Sequence, residues 1–234
     1  MAVAFVGTGA YVAGNATSVT LNAPTGIATG NCVIAFVTVQ DDGGMSTVNT
    51  PTGWVKAFGP QVGLSQGGSY AVFYAFIAIH SAGLTYVFNG QDNGAVIAAF
   101  DGHTRGYSNT ASSSIVNYAA GAQASGGSIV IGTFSGHETF TSGEWYVTCK
   151  SDPSNDTGAS ASPTLSNTYS NSGTFQSYES GDYVPGSVPG AETWSGGSTG
   201  VGAVAIGLTI LPPAGGGVAQ PWTLIPKLGP ILAQ

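Results

Sequence analysis

An all-β fold is predicted for this chain: an antiparallel sandwich of jelly-roll type, followed by an extended Pro/Gly-rich C-terminal arm. Three observations predict it. Apolar residues make up 42% of the 234 residues and fall in period-two or continuous short runs, whereas helical spacing with caps is nearly absent. Glycine occurs 37 times, and most of the runs are bounded by Gly, Asn, Asp or Pro. Only 6% of residues are charged, against roughly a quarter in ordinary soluble domains, so the polar surface must be built from hydroxyls and amides.

The strand signals recur at 18–22, 32–40, 54–58, 70–79, 84–89, 95–101, 128–134, 145–150 and 201–211. Each is rich in Val, Ile, Thr, Tyr or Phe. The run Val33-Ile34-Ala35-Phe36-Val37 is apolar on both alternations and reads as a central strand covered on both faces. In Thr50-Pro51-Thr52-Gly53-Trp54, Pro51 fixes φ, Gly53 supplies an unusual backbone angle, and Trp54 enters the core at a strand start. Residues 1–211 are taken as one sandwich domain. Within it, 151–200 is read as long Ser/Gly/Asn-rich loops with short strands, bearing Tyr169, Phe175, Tyr178, Tyr183 and Trp194 as candidate glycan or partner contacts.

After the last strand, Pro212-Pro213-Ala214-Gly215-Gly216-Gly217 reads as a hinge. The remaining residues to 234 hold too many prolines for a helix and too much apolar surface to stay solvated. An extended docking arm is expected, with Trp222, Leu224, Ile225, Leu228, Ile231 and Leu232 as assembly contacts.

Composition narrows the function. The net charge is −7, and the only cations are Lys56, Arg105, Lys150 and Lys227; four scattered cations do not make a groove for a phosphate backbone, so no direct nucleic-acid binding is expected. The longest apolar run is about half a membrane span, and Met1 opens no basic, apolar leader; synthesis in the cytoplasm without a signal peptide is expected, and no membrane partner. A surface with so little charge repulsion tolerates close packing against neighbours, which suits a homo-oligomer or a subunit of an assembly.

Chemical motifs are weak. Gly63-Leu64-Ser65-Gln66-Gly67 matches a nucleophile elbow, yet no helix follows it. His80, His103 and His137 lack chelating spacing, and Asp101 with His103 is read as a pair of turn or edge residues. The acidic turns at Asp41-Asp42 and Asp92-Asn93 do not match a calcium loop, and Glu138 with Glu144 has no sequence-visible cleft. Hence no catalytic residue, no metal and no cofactor is expected, and the chain is read as a non-enzyme. Cys32 and Cys149 lie in apolar runs, where pairing or two buried thiols are both open.

A resemblance rests on the order of Gly30-Asn31-Cys32-Val33-Ile34-Ala35, the Pro-Thr-Gly-Trp turn, Tyr70-Ala71-Val72-Phe73-Tyr74, Leu84-Thr85-Tyr86-Val87-Phe88 and Ala95-Val96-Ile97-Ala98-Ala99-Phe100-Asp101-Gly102. Gly127-Ser128-Ile129-Val130-Ile131-Gly132 and Gly202-Ala203-Val204-Ala205-Ile206 extend it more loosely. Over about residues 18–211 the chain resembles β-sandwich proteins of tailed bacteriophages and prophages that are virion surface or tail-associated components. The resemblance implies localisation in the virion and other virion proteins, of capsid or tail, as partners. A capsid decoration or cement protein is the leading expectation; a tail, collar or fibre component, or a carbohydrate-binding adhesin on a host glycan, is the alternative. The Pro-Thr-Gly-Trp turn is the sharpest shared element, and the arm lies outside the resemblance.

Overall fold

The computed structural model describes residues 3–14, 17–41, 47–64, 70–91, 97–108, 115–122, 129–131, 142–152, 160–172, 177–187, 190–195 and 203–210. Among them there are sixteen strands and no helix, and every strand pair is antiparallel. The all-β antiparallel sandwich expected from the sequence is the observed fold.

One five-stranded sheet runs in the order β1 (Ala4–Gly14), β8 (Ile97–Ser108), β3 (Cys32–Asp41), β6 (Tyr70–Ile79), β5 (Trp54–Leu64). A three-stranded sheet of β2 (Ser18–Thr20), β7 (Val87–Gln91) and β4 (Thr47–Val48) covers one of its faces. A second five-stranded sheet runs β13 (Ser166–Ser172), β14 (Ser177–Tyr183), β11 (Trp145–Asp152), β16 (Val204–Ile210), β9 (Ile115–Ala122). Its cover is β10 (Ile129–Ile131), β15 (Glu192–Ser195) and β12 (Ser160–Ser162).

The two halves share one connectivity. Adding eight to each label of 1-8-3-6-5 and 2-7-4 gives the 9-16-11-14-13 and 10-15-12 of the second half. Each half is thus an eight-stranded unit with jelly-roll strand order, in which β5, or β13, joins the larger sheet. The two large sheets stack face to face, so the molecule has four layers, three strands, five, five and three.

The stacking is that of a pseudo-dyad. β1 lies against β13, β8 against β14, β3 against β11, and β5 against β9. Thr38 sits on Ser151 at one end of β3, while Tyr107, the ladder partner of Cys32, meets the Trp145 ring at the other. Therefore β3 and β11 run parallel, and the pseudo-axis lies along the strands between the sheets.

Alternation explains the sequence of β3. Cys32, Ile34 and Phe36 face the second half, and Val33, Ala35, Val37 and Val39 face the small sheet, so both alternations are apolar. The predicted core role of Trp54 holds: it is 5% exposed, Gly53 turns at φ 85°, the Trp54 amide donates to Pro51 at 3.0 Å, and its indole N–H donates to Thr85 at 2.8 Å. Its ring packs edge-on against Tyr86 and Phe88.

Two differences from the sequence reading matter. Residues 160–195 are not chiefly loops: they supply β12 to β15, two of them in a central sheet. Ser and Asn form strands there because the ladder to β11 satisfies the backbone of β14, and Ser166, Thr168 and Ser170 of β13 lie toward solvent. The β8 strand also continues past Asp101 to Ser108, through polar residues that turn inward. The C-terminal arm lies outside the described residues.

Candidate functional site

On the β6/β16 side of the inter-sheet space the contacts are apolar, from Phe73, Ala75 and Ile77 to Val204, Ile206, Leu208 and Ile210. On the β8/β14 side they are polar. Asp101, His103, Arg105 and Tyr107 alternate along β8 and face Tyr178, Ser180 and Asp182, which alternate along β14. Cross-strand alternation brings seven buried residues together that lie up to 81 positions apart (Asp101 to Asp182).

Arg105 anchors the cluster. Its Nη2 lies 2.7 Å from Asp182 Oδ2 and donates to the Asn167 carbonyl at 2.8 Å; Nη1 donates to Ser180 Oγ and Nε to Tyr107 Oη, each at 3.0 Å. The Phe5 ring lies 4.9 Å from the guanidinium carbon. Asp182 also accepts from Tyr107 at 3.0 Å and from Asn167 Nδ2 at 2.7 Å. Asn167 takes a left-handed φ of 46°, which lets its carbonyl and its side chain serve the same pair. Burial acts to lower the Arg105 pKa, but Tyr107 and Asp182 outweigh it and the net shift is upward. The group stays charged.

A second cluster adjoins it. The Tyr178 hydroxyl lies 2.6 Å from Thr38 Oγ1 and 2.8 Å from Asp101 Oδ1, and Tyr11 donates to Asp101 Oδ2 at 3.0 Å. Burial lifts the Asp101 carboxyl from 3.8 to about 7, although both tyrosine hydrogen bonds pull it down. His103 goes the other way: burial, then the neighbouring Arg105 charge, lowers it to about 3, so the imidazole is neutral. It meets Ser180 Oγ at 3.0 Å and stacks on Tyr169 with centroids 5.0 Å apart. Asp101 and His103 are therefore interior groups of a central strand, not the turn or edge residues expected, because β8 runs on between β1 and β3.

The outer face of the second large sheet holds further charge. Lys150 Nζ lies 3.2 Å from Glu179 Oε2 and 3.3 Å from Asp152 Oδ2. Glu192, buried near Tyr146, Thr148 and Trp194, is raised from 4.5 to about 7, chiefly by desolvation.

The aromatics singled out in the sequence divide. Tyr178 is fully buried between the large sheets, and Trp194 is 3% exposed, packed with Ile129, Ile131 and Ala205 and donating to Thr148 Oγ1 at 3.3 Å. Neither ring is presented to a partner; both alternate inward from their strands, and the expectation of surface contacts is corrected for these two. Tyr169 is half-buried, with its hydroxyl accepting from the Tyr11 amide at 2.7 Å, and Tyr183 lies half-buried on the Tyr146 ring at 4.8 Å. Phe175 and the arm residues Trp222, Leu224, Ile225, Leu228, Ile231 and Leu232 lie outside the described residues, as do Ser65, Asp42, Asp92, His137 and Glu138. Glu144 is buried at the start of β11, and His80 Nδ1 lies 2.9 Å from Tyr86 Oη at a turn. Cys32 and Cys149 are both free thiols of the central core, and burial pushes Cys32 up to about 12, so it is a poor nucleophile. No group of three His, Cys, Asp or Glu able to hold a metal occurs among the described residues.

Sequence reasoning missed Arg105, Asp182, Lys150 and Glu179 as interior groups. A signal existed: Asp101-x-His103-x-Arg105-x-Tyr107 and Tyr178-x-Ser180-x-Asp182 each place polar groups at period two. Comparison with protein-family models, with curated proteins and with solved structures gives no match in any of the three.

Proposed function

We propose that the chain is a non-catalytic structural subunit of a tailed-bacteriophage virion, acting as a capsid decoration or cement protein. One observation carries the reading: among the described residues the charges are inside. Asp101, Arg105, Glu144, Lys150, Asp152, Glu179, Asp182 and Glu192 are all buried, and Lys56 is the one exposed charged side chain among those whose exposure is described. The exposed residues among those described carry chiefly hydroxyls, amides or no side chain at all. Such a surface offers neighbours little electrostatic resistance and needs few desolvated charges when an interface closes. The resemblance of residues 18–211 to phage virion components supplies the particle.

In this reading the subunit adds stability to a shell by burying apolar surface between copies, with the segment after Ile210 as anchor through Trp222, Leu224, Ile225, Leu228, Ile231 and Leu232. The test is a mass-spectrometric copy count in purified particles. Hundreds of copies support a capsid site; a handful overturns it in favour of tail, collar or fibre. Deleting residues 214–234 is expected to leave a folded sandwich that no longer joins the particle, and normal incorporation of the shortened chain removes the arm from the proposal.

A further inference from the structure

Lys150 and Glu179 stand directly opposite each other in the β11–β14 ladder, and Asp152 lies two residues along β11 on the same face. The ammonium is 3.2 Å from Glu179 Oε2 and 3.3 Å from Asp152 Oδ2. The Lys150 and Asp152 side chains are each 1% exposed and that of Glu179 is 9% exposed. One amine and two carboxyls thus share a nearly dry site, fixed from two neighbouring strands.

We propose that Lys150 and Glu179 are joined by an intramolecular amide bond, with Asp152 as the proton carrier. The step needs no outside reagent: an ammonium and a carboxylate give an amide and one water. Asp152 takes a proton from Nζ, the freed lone pair forms a bond to Glu179 Cδ, and a Cδ–Oε bond breaks. Asp152 hands that proton, and then a second from the attacking nitrogen, to the departing oxygen, which leaves as water. Asp152 is a carboxylate at the start and at the end.

Three features favour the step. The 3.2 Å contact of Nζ with Oε2 holds the amine against the carboxyl group it attacks, so the entropy of bringing the two groups together is met by the fold. Burial disfavours the charged reactants relative to the neutral amide and keeps out the water that would reverse the reaction. The small exposure of Glu179 gives the released water a way out. Glu179 is the acyl partner because it lies across the ladder and nearer to Nζ; a bond to Asp152 would close a ring within one strand.

The experiment is an intact-mass measurement on the full folded chain, denatured just before analysis. The expected mass is lower than the sequence requires, with or without Met1, by one water. A chymotryptic digest, which cuts after Tyr146, Tyr169, Tyr178 and Tyr183, is expected to yield segment 147–169 joined to segment 179–183. Lys150→Arg and Asp152→Asn are each expected to restore the full mass in chains that still show the β-sheet circular dichroism of the parent. Full mass in the parent chain overturns the proposal without reference to any variant. A water loss confined to a peptide holding Lys150 and Asp152 overturns the assignment of Glu179.

Discussion

Arg105 shows how much a single side chain is asked to do in this interior. Its pair with Asp182 is wholly out of water, and three of its other four N–H groups are met by Ser180, Tyr107 and the Asn167 carbonyl. A buried pair so satisfied is a weak source of net stability, yet leaving one partner alone is costly. Arg105→Met is expected to destabilise the chain by about 3–5 kcal/mol in denaturant unfolding, through the stranded Asp182 carboxylate. Arg105→Met with Asp182→Leu is expected to recover most of that loss. If the double variant is as unstable as the single one, the cost lies in packing and not in the orphaned charge. Asp101 adds a pH dependence at the same scale. Its folded pKa of about 7 stands above its ordinary 3.8, so its contribution to stability is full below about 4 and is lost as pH rises to about 7. Glu192, raised from 4.5 to about 7, has the same sign. Asp101→Asn is expected to flatten the unfolding free energy between pH 4 and 7, read from midpoints of urea titrations; an unchanged slope would assign that dependence to other groups.

At the scale of elements, β1 depends on close approach. A Cβ on Gly9 would run into the Asn22 carbonyl and the Thr104 hydroxyl, which are themselves hydrogen-bonded at 2.6 Å. The 22–25 segment covers the outer edge of β1 through Thr25 N–H to the Thr8 carbonyl at 3.1 Å and Asn22 Nδ2 to the Ala10 carbonyl at 3.2 Å. Gly9→Ala is expected to cost about 1–3 kcal/mol and to speed amide exchange at Thr25. Unchanged exchange there would mean the edge cover does not need Gly9. The legibility of the elements follows from the same packing. All nine strands expected from Val, Ile and aromatic enrichment are present, because each is a strand whose side chains make the apolar cores. β1, β4 and β9 were not among them, and β12 to β15 lie where long loops with only short strands were expected. They are rich in Gly, Ala, Ser, Asn and Thr, whose strand character comes from ladder partners distant in sequence. The polar layer was hidden for a related reason: each charged residue looks solvated until the opposite sheet supplies its partner.

For the whole molecule, the two halves are joined by a face that neither can expose alone. Cys32, Ile34, Phe36 and Phe73 of the first half meet Val147, Cys149, Val204 and Ile206 of the second. Separated at residue 108, the first half would show this apolar surface next to an unpaired Arg105. Residues 1–108 expressed alone are expected to self-associate, by light scattering, and to return to one-to-one stoichiometry when the second half is added. A stable monomeric fragment would show that the first half can cover the face by itself. The connectivity repeat was illegible in the sequence because strands equivalent by position differ in composition: β6 is Tyr, Val, Phe and Ile where β14 is Ser, Glu, Gly and Asp.

The parallel course of β3 and β11 fixes a polarity for the whole molecule. Because the pseudo-axis runs along the strands, every odd-numbered strand of both halves ends at the same pole. The ends of β1, β3, β5 and β7 therefore lie at the same pole as the ends of β9, β11, β13 and β15, whereas β16 ends at the opposite pole. Anything that meets the first pole meets both halves at once, as a two-pronged plug meets a socket.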